Sequence, residues 1–254
     1  MTRTIARTIK LFFLISAVCA AVFLIGYSIG LFSKDALGHS ALGNDHLEKK
    51  QYRAAISDYK KSLFLNKKNA NALVNIAYAY SHVDRFADAA RSYEAAFQLD
   101  QKDERIIVSA ALCYARANMD DKADRVFTCA EELFPAIPAV SFEHVKYCIR
   151  HKKWVEAREL SSGALRRFAS YAEPFLFAAV VKIHENRLQE AYRLCRNALE
   201  RDPSNEQART LLVRLEKVKA RPAKDPFFYS PEEDQEFHET VSSLMREGVT
   251  LNQR

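Results

Sequence analysis

Histidine and cysteine are the residue types through which this chain could hold a metal or supply a nucleophile. Their spacing suits neither task. The seven histidines are isolated from one another. No two lie three or four residues apart on a helix with a carboxylate in support, the arrangement that aims two imidazoles at one ion. There is no Gly-x-Ser-x-Gly elbow and no phosphate loop. The five cysteines are odd in number and widely spread, which rules out a dense disulfide framework. Cys113, Cys129, Cys148 and Cys195 fall inside helical segments, where a free thiol packs as a small hydrophobe. A disulfide between two of them is the alternative in an oxidising compartment. These readings lead us to expect no enzyme, no cofactor and no metal site.

The chemistry left is recognition, and the elements that would position it repeat. With six glycines and seven prolines among 254 residues, the chain is too poor in turn formers for a sandwich, a barrel or a glycine-rich nucleotide fold. Gly43, Ala77, Ala111, Val145 and Ala179 stand 34 residues apart. The same shift links Ala55, Ala89, Ala123, Ala157 and Ala191 without exception. Three residues after the first column come His46, Tyr80, Tyr114, Cys148 and Lys182, and sixteen after it come Tyr59, Tyr93, Phe127, Ser161 and Cys195. Nineteen after it come Ser62, Ala96, Ala130, Ala164 and Ala198, with Pro135 and Pro203 closing two of the units.

This pattern resembles the tetratricopeptide repeat: a small residue, Tyr, Ala, an aromatic, Ala and Pro in a period of 34 residues. The resemblance covers residues 36–205 in five units: 36–69, 70–103, 104–137, 138–171 and 172–205. It implies an all-α solenoid of helix-turn-helix repeats, with small residues at the helix crossings and aromatics between them. His46, Cys148 and Lys182 at the Tyr position, and Ser161 and Cys195 at the aromatic position, depart from the pattern. They predict looser packing toward the later units. Residues 206–220 read as a final helix covering the open end, with Leu211, Leu212, Leu215 and Val218 on one face.

In such repeats the first helix of each unit lines a peptide-binding groove. Carried onto this sequence, that geometry implies Asn44; then Val74, Asn75 and Tyr78; then Arg105, Val108 and Leu112; then Phe142 and Lys146; then Leu176 and Val180. Two amides can meet a peptide backbone while apolar side chains fill gaps. The alternative is that the apolar members only pack between helices. One subfamily grips the carboxyl-terminal tails of cytosolic chaperones with Lys, Asn, Asn, Lys and Arg. Asn44 and Asn75 match its amides and Arg105 keeps one cation, but Ser40 and Ser109 replace the other two. Such a clamp would hold a carboxylate weakly, so no chaperone-tail receptor is expected.

The flanks differ in character. Leu11 to Phe32 is 22 residues without a charge. At about 1.5 Å per residue it is long enough to cross a bilayer core, and longer than the apolar part of a signal peptide. It predicts an uncleaved anchor after a basic tail, 1–10; the alternative is a removed signal. Arg3, Arg7 and Lys10 precede the span and mixed charges follow it. That asymmetry leaves the amino terminus in the cytoplasm and sends the rest across. In a bacterium the location is then the inner membrane, with the repeats in the periplasm. Gly26 and Gly30 form a small-xxx-small pair that could support a weak homodimer, or simply face lipid. At the other end, 221–254 carries Phe227, Phe228 and Tyr229 between prolines. An amphipathic helix, 231–247, follows, with Phe237, Val241, Leu244 and Met245 on one face. That helix can fold back on the repeats or bind a partner.

The net charge of +6 is distributed as +3 in 1–10, +6 across 34–220 and −3 in 221–254. No strong basic cluster stands out, so nucleic acid is not an expected partner. The expected function is a membrane-anchored scaffold that binds a peptide or protein partner in the cell envelope. Rival readings are a cytosol-facing receptor or assembly factor, like an import receptor, and a regulatory subunit that tethers an enzyme.

Overall fold

A computed structural model describes residues 35–219, and every regular element among them is a helix. In chain order these are α1 (35–48), α2 (Tyr52–Leu65), α3 (Ala70–Ser81), α4 (Phe86–Leu99), α5 (Glu104–Arg116) and α6 (Asp120–Leu133). Then come α7 (Pro138–Arg150), α8 (Trp154–Arg167), α9 (Glu173–His184), α10 (Leu188–Arg201) and α11 (Glu206–Lys219). The fold is an all-α helical repeat. It divides into two compact units at Ala123/Asp124, within the first turn of α6. In unit 1, α2 packs on α3, α3 on α4, and α4 on α5. In unit 2, α7 packs on α8, α8 on α9, α9 on α10, and α10 on α11.

The columns read from the sequence are the interior. Ala55, Ala89, Ala123, Ala157 and Ala191 are completely buried, as are Ser62, Ala96, Ala130, Ala164 and Ala198. Such complete burial of small side chains is what close helix crossings require. Gly43 shows the constraint at its tightest, since a Cβ there would lie 2.7–2.9 Å from the ring of Tyr59, which is itself fully buried. Cys148, Ser161 and Cys195 are also buried despite departing from the pattern.

The turn inside each repeat has its own period. Lys50, Asp84, Asn118, Lys152 and Asn186 all have φ of 55–58°, the left-handed region. The next amide reaches back to the fifth carbonyl before it: Gln51 N–H to His46, Arg85 to Tyr80, Met119 to Tyr114, Lys153 to Cys148 and Arg187 to Lys182, at 2.8–3.0 Å. This is the Schellman ending of a helix, and it satisfies carbonyls the helix leaves open. The Tyr column therefore supplies a backbone acceptor whatever its side chain. That is why His46, Cys148 and Lys182 are tolerated there.

Starts are capped where the sequence permits. Asn69 accepts from the Ala72 amide at 3.1 Å, Asp103 from Arg105 at 3.0 Å, and Asn205 from Ala208 at 2.9 Å. α7 and α9 have no side-chain cap and instead carry Pro138 and Pro174 in the first turn, where the missing N–H costs nothing. α11 buries Ala208, Leu211 and Leu215, with Leu212 only half-buried.

One expectation is corrected. Cys129 is exposed, while Cys113, Cys148 and Cys195 are buried. Cys129 stands one residue, about 100° around the helix, from the buried Ala130. Among the described residues no helix is long and apolar enough to cross a membrane. The predicted anchor, 11–32, with Gly26 and Gly30, and the predicted tail helix, 231–247, lie outside them.

Candidate peptide-binding surface

The two amides expected in the groove are brought together in unit 1. Asn44 rides on α1 and Asn75 on α3, the first helices of consecutive repeats. The Asn75 amide donates to Asn44 Oδ1 at 3.0 Å, and the Tyr59 hydroxyl donates to the same oxygen at 2.6 Å. Burial, the main influence on the Tyr59 phenol, pushes its pKa up to about 12, so it acts as a donor at any physiological pH. With its oxygen doubly occupied, Asn44 keeps two N–H donors and Asn75 keeps its carbonyl oxygen. These are the complementary groups that a peptide backbone needs. Asn44 is exposed and Asn75 half-exposed.

Beside the amides, Val74 and Tyr78 are half-exposed. Tyr78 presents its edge to Tyr52 at 6.4 Å and to His82 at 4.4 Å, while Tyr52 and His82 stack at 4.4 Å with 5° between planes. Burial, then the Arg116 and Lys50 charges, holds the His82 pKa below its ordinary value. Tyr52 and His82 were absent from the sequence expectation, though their signal is periodic. The first residue of the second helix meets the end of the following first helix, thirty residues on. Tyr52 stacks on His82, Phe86 lies under the Arg116 guanidinium at 5.2 Å, and Trp154 stacks on His184 at 3.9 Å.

The other expected groove residues stand differently. Arg105 is exposed but tied to Asp103 through two hydrogen bonds of 2.8 and 2.9 Å. Val108 and Leu112 are buried in unit 1. In unit 2, Phe142 is buried, edge-on to Phe168, Tyr171 and Phe177. Lys146 is half-exposed and paired with Glu143 at 2.9 Å. Leu176 and Val180 are almost wholly buried and present no surface. Their burial follows the packing alternative: at this spacing, groove and core positions adjoin on one helix. The chaperone-clamp equivalents are engaged internally, Ser40 with Ser62 at 2.9 Å and Ser109 with the Arg105 carbonyl at 2.5 Å.

Unit 2 carries two polar clusters of a structural kind. Lys153 donates to Asp124 at 2.5 and 2.7 Å and to the Tyr147 hydroxyl at 2.9 Å. Glu131 accepts from His144 at 3.1 Å and lies 3.5 Å from Arg167. The buried Cys113, Cys148 and Cys195 thiols are pushed up to about 12 by burial, far from the thiolate form a nucleophile needs. Among the described residues no cluster of histidine, cysteine and carboxylate side chains could hold a metal ion.

No protein-family model matches the chain, and no curated protein does. Solved structures do. YrrB, described as a tetratricopeptide protein with an unusual peptide-binding site, superposes with a TM-score of 0.56 at 16% identity, covering 76% of this chain and 97% of that one. A MamA protein gives a TM-score of 0.58 at 16% identity, over 76% and 99% of the two chains. PilF of Pseudomonas aeruginosa gives 0.53 at 17%, over 84% and 90%. At these identities the likeness carries the architecture alone. The fold of this chain is that of the tetratricopeptide-repeat proteins.

Proposed function

We propose that this chain is a membrane-anchored scaffold that captures an extended segment of a protein partner in the cell envelope. The observation that carries this reading is the Asn44–Asn75 amide pair, presented by consecutive first helices with Val74 and Tyr78 beside it. Amides at that spacing can replace the hydrogen bonds a peptide backbone loses on leaving water, and the apolar neighbours add the affinity. The peptide-binding site of YrrB, on the same architecture, supports the assignment of a binding role. The 11–32 segment anchors the chain in the inner membrane, amino terminus inside and repeats in the periplasm, as its flanking charges favour. Partner contact is made by the protein itself, without a cofactor and without nucleic acid.

The test is a photo-reactive residue placed at position 74 in cells, with position 64 as the reference. Phe64 is 82% exposed and stands on α2, not on the first helices that carry the amide pair. A discrete protein adduct from 74 and none from 64 is expected. Equal labelling at both positions, or none at 74, would overturn the reading.

A further inference from the structure

Unit 2 contains a cleft where the repeat pattern would place a ring. In the third repeat Tyr114 is buried and its hydroxyl donates to Glu94 of the preceding second helix at 2.6 Å. Two repeats on, the equivalent of Tyr114 is Lys182, the equivalent of Glu94 is Ser162, and the equivalent of Tyr93 is Ser161. Two rings and a carboxylate have become a lysine and two serines. The space is not refilled, and a cavity of about 310 Å³ opens between α8, α9 and α10. That volume is at the small end of binding clefts. Ser161 and Lys182, two of the departures from the repeat pattern, both line this cleft.

The cleft has an apolar floor and a cationic rim. Leu165, Ala178, Val181 and Leu194 form the floor. Arg158, Lys182 and Arg193 stand at the rim with one carboxylate, Glu190. Arg158 and Lys182 share Glu185 at 2.6 and 2.7 Å, and Arg187 bridges Glu185 and Glu190. Arg158, Lys182, Arg187 and Arg193 thus stand against Glu185 and Glu190, two positive charges in excess. Arg193 is exposed.

We propose that this cleft binds an aromatic side chain of a partner peptide whose neighbouring residues are Asp or Glu. The ring would take the space that Tyr114 fills in its own repeat, and the acids would meet the cationic rim. The site is separate from the α1/α3 surface and rests on the scaffold reading only in that the ligand is a peptide.

The test uses the full chain and a fluorescent probe peptide, Asp-Glu-Tyr-Asp-Glu, followed by anisotropy. Two comparison peptides carry Ala for Tyr, or Lys for each acid. The native chain should bind the probe, and both comparison peptides should bind at least about tenfold more weakly, as expected when a buried aromatic anchor or its charge match is lost. Lys182→Tyr should refill the cleft and weaken the probe by about tenfold or more. Arg193→Glu, an exposed change that leaves the interior intact, should do likewise and also reduce the salt dependence. Failure of the probe to bind, equal binding of the alanine peptide, or native affinity in Lys182→Tyr would overturn the proposal. Loss of binding in Asn75→Leu alongside native affinity in Lys182→Tyr would place the peptide on the α1/α3 surface. That outcome would also overturn this proposal, while leaving the scaffold reading intact.

Discussion

At the scale of residues, two asparagines that look alike in the sequence carry different burdens. Asn44 accepts from the hydroxyl of a fully buried tyrosine, whereas Asn75 donates into the same oxygen and toward the Tyr59 phenol. Removing Asn44 orphans a buried phenol, which costs about 1–3 kcal/mol. Asn44→Ala should therefore lower unfolding free energy by about 1–2 kcal/mol, while Asn75→Leu stays within about 0.5 kcal/mol, the range of surface changes. Gly43→Ala improves helix propensity by up to about 1 kcal/mol but drives a Cβ into the Tyr59 ring, and overpacking of that kind costs about 1–3 kcal/mol. Net destabilisation in urea is expected; a rise in midpoint would show that the ring can yield. Glu131 gives a pH signature. Burial would raise its pKa, but the His144 hydrogen bond and the Arg167 charge outweigh burial and hold it below the ordinary 4.5. A depressed carboxyl contributes stability in full above its unfolded value and loses it as pH falls through the folded one. Unfolding free energy should therefore decline below about pH 4.5, and Glu131→Gln should flatten that decline. An identical profile in the variant would remove Glu131 from the explanation.

At the scale of elements, the turn between the paired helices is a left-handed residue with no glycine in any of five copies. Asn and Asp tolerate this region, but lysine pays the Cβ penalty of about 1–2 kcal/mol, partly offset by the greater freedom glycine has when unfolded. Lys152→Gly should therefore stabilise by about 0.5–1 kcal/mol, read as a higher urea midpoint at unchanged slope. A lower midpoint would mean the lysine side chain makes a contact worth more than the strain. These turns also mark the limit of what was legible. The buried columns could be read because a close helix crossing admits only small residues, so their identity recurs. The left-handed turn could not, because its regularity lies in backbone hydrogen bonds, which Lys, Asp and Asn form equally well. The ring contacts at Tyr52–His82, Phe86–Arg116 and Trp154–His184 have a period too, but they conserve geometry while exchanging chemistry. Of the groove residues, the amides could be read as a surface. Leu176 and Val180 could not be separated from the core, since a residue one helical step away is buried in either case.

At the scale of the whole molecule, each repeat relies on its neighbour to cover one face, and α11 does this for α10 through Ala208, Leu211 and Leu215. A chain ending at 205 loses the burial of two leucines, worth about 1.5–3 kcal/mol each, and exposes the face of α10 that they cover. It should lose about 3 kcal/mol or more, with unit 2 melting first by hydrogen exchange; uniform protection would contradict nearest-neighbour stacking. The proposed placement in the envelope predicts that protease reaches the repeats only after the outer envelope is opened, and protection until the inner membrane is lysed would favour a cytosol-facing receptor. The central claim is that the α1/α3 amide pair recognises a partner's backbone. The most direct measurement is the yield of the position-74 photo-adduct in cells carrying Asn75→Leu, with unfolding free energy measured on the same variant. Loss of the adduct in a protein of native stability is the predicted result. An adduct of undiminished yield would contradict the claim.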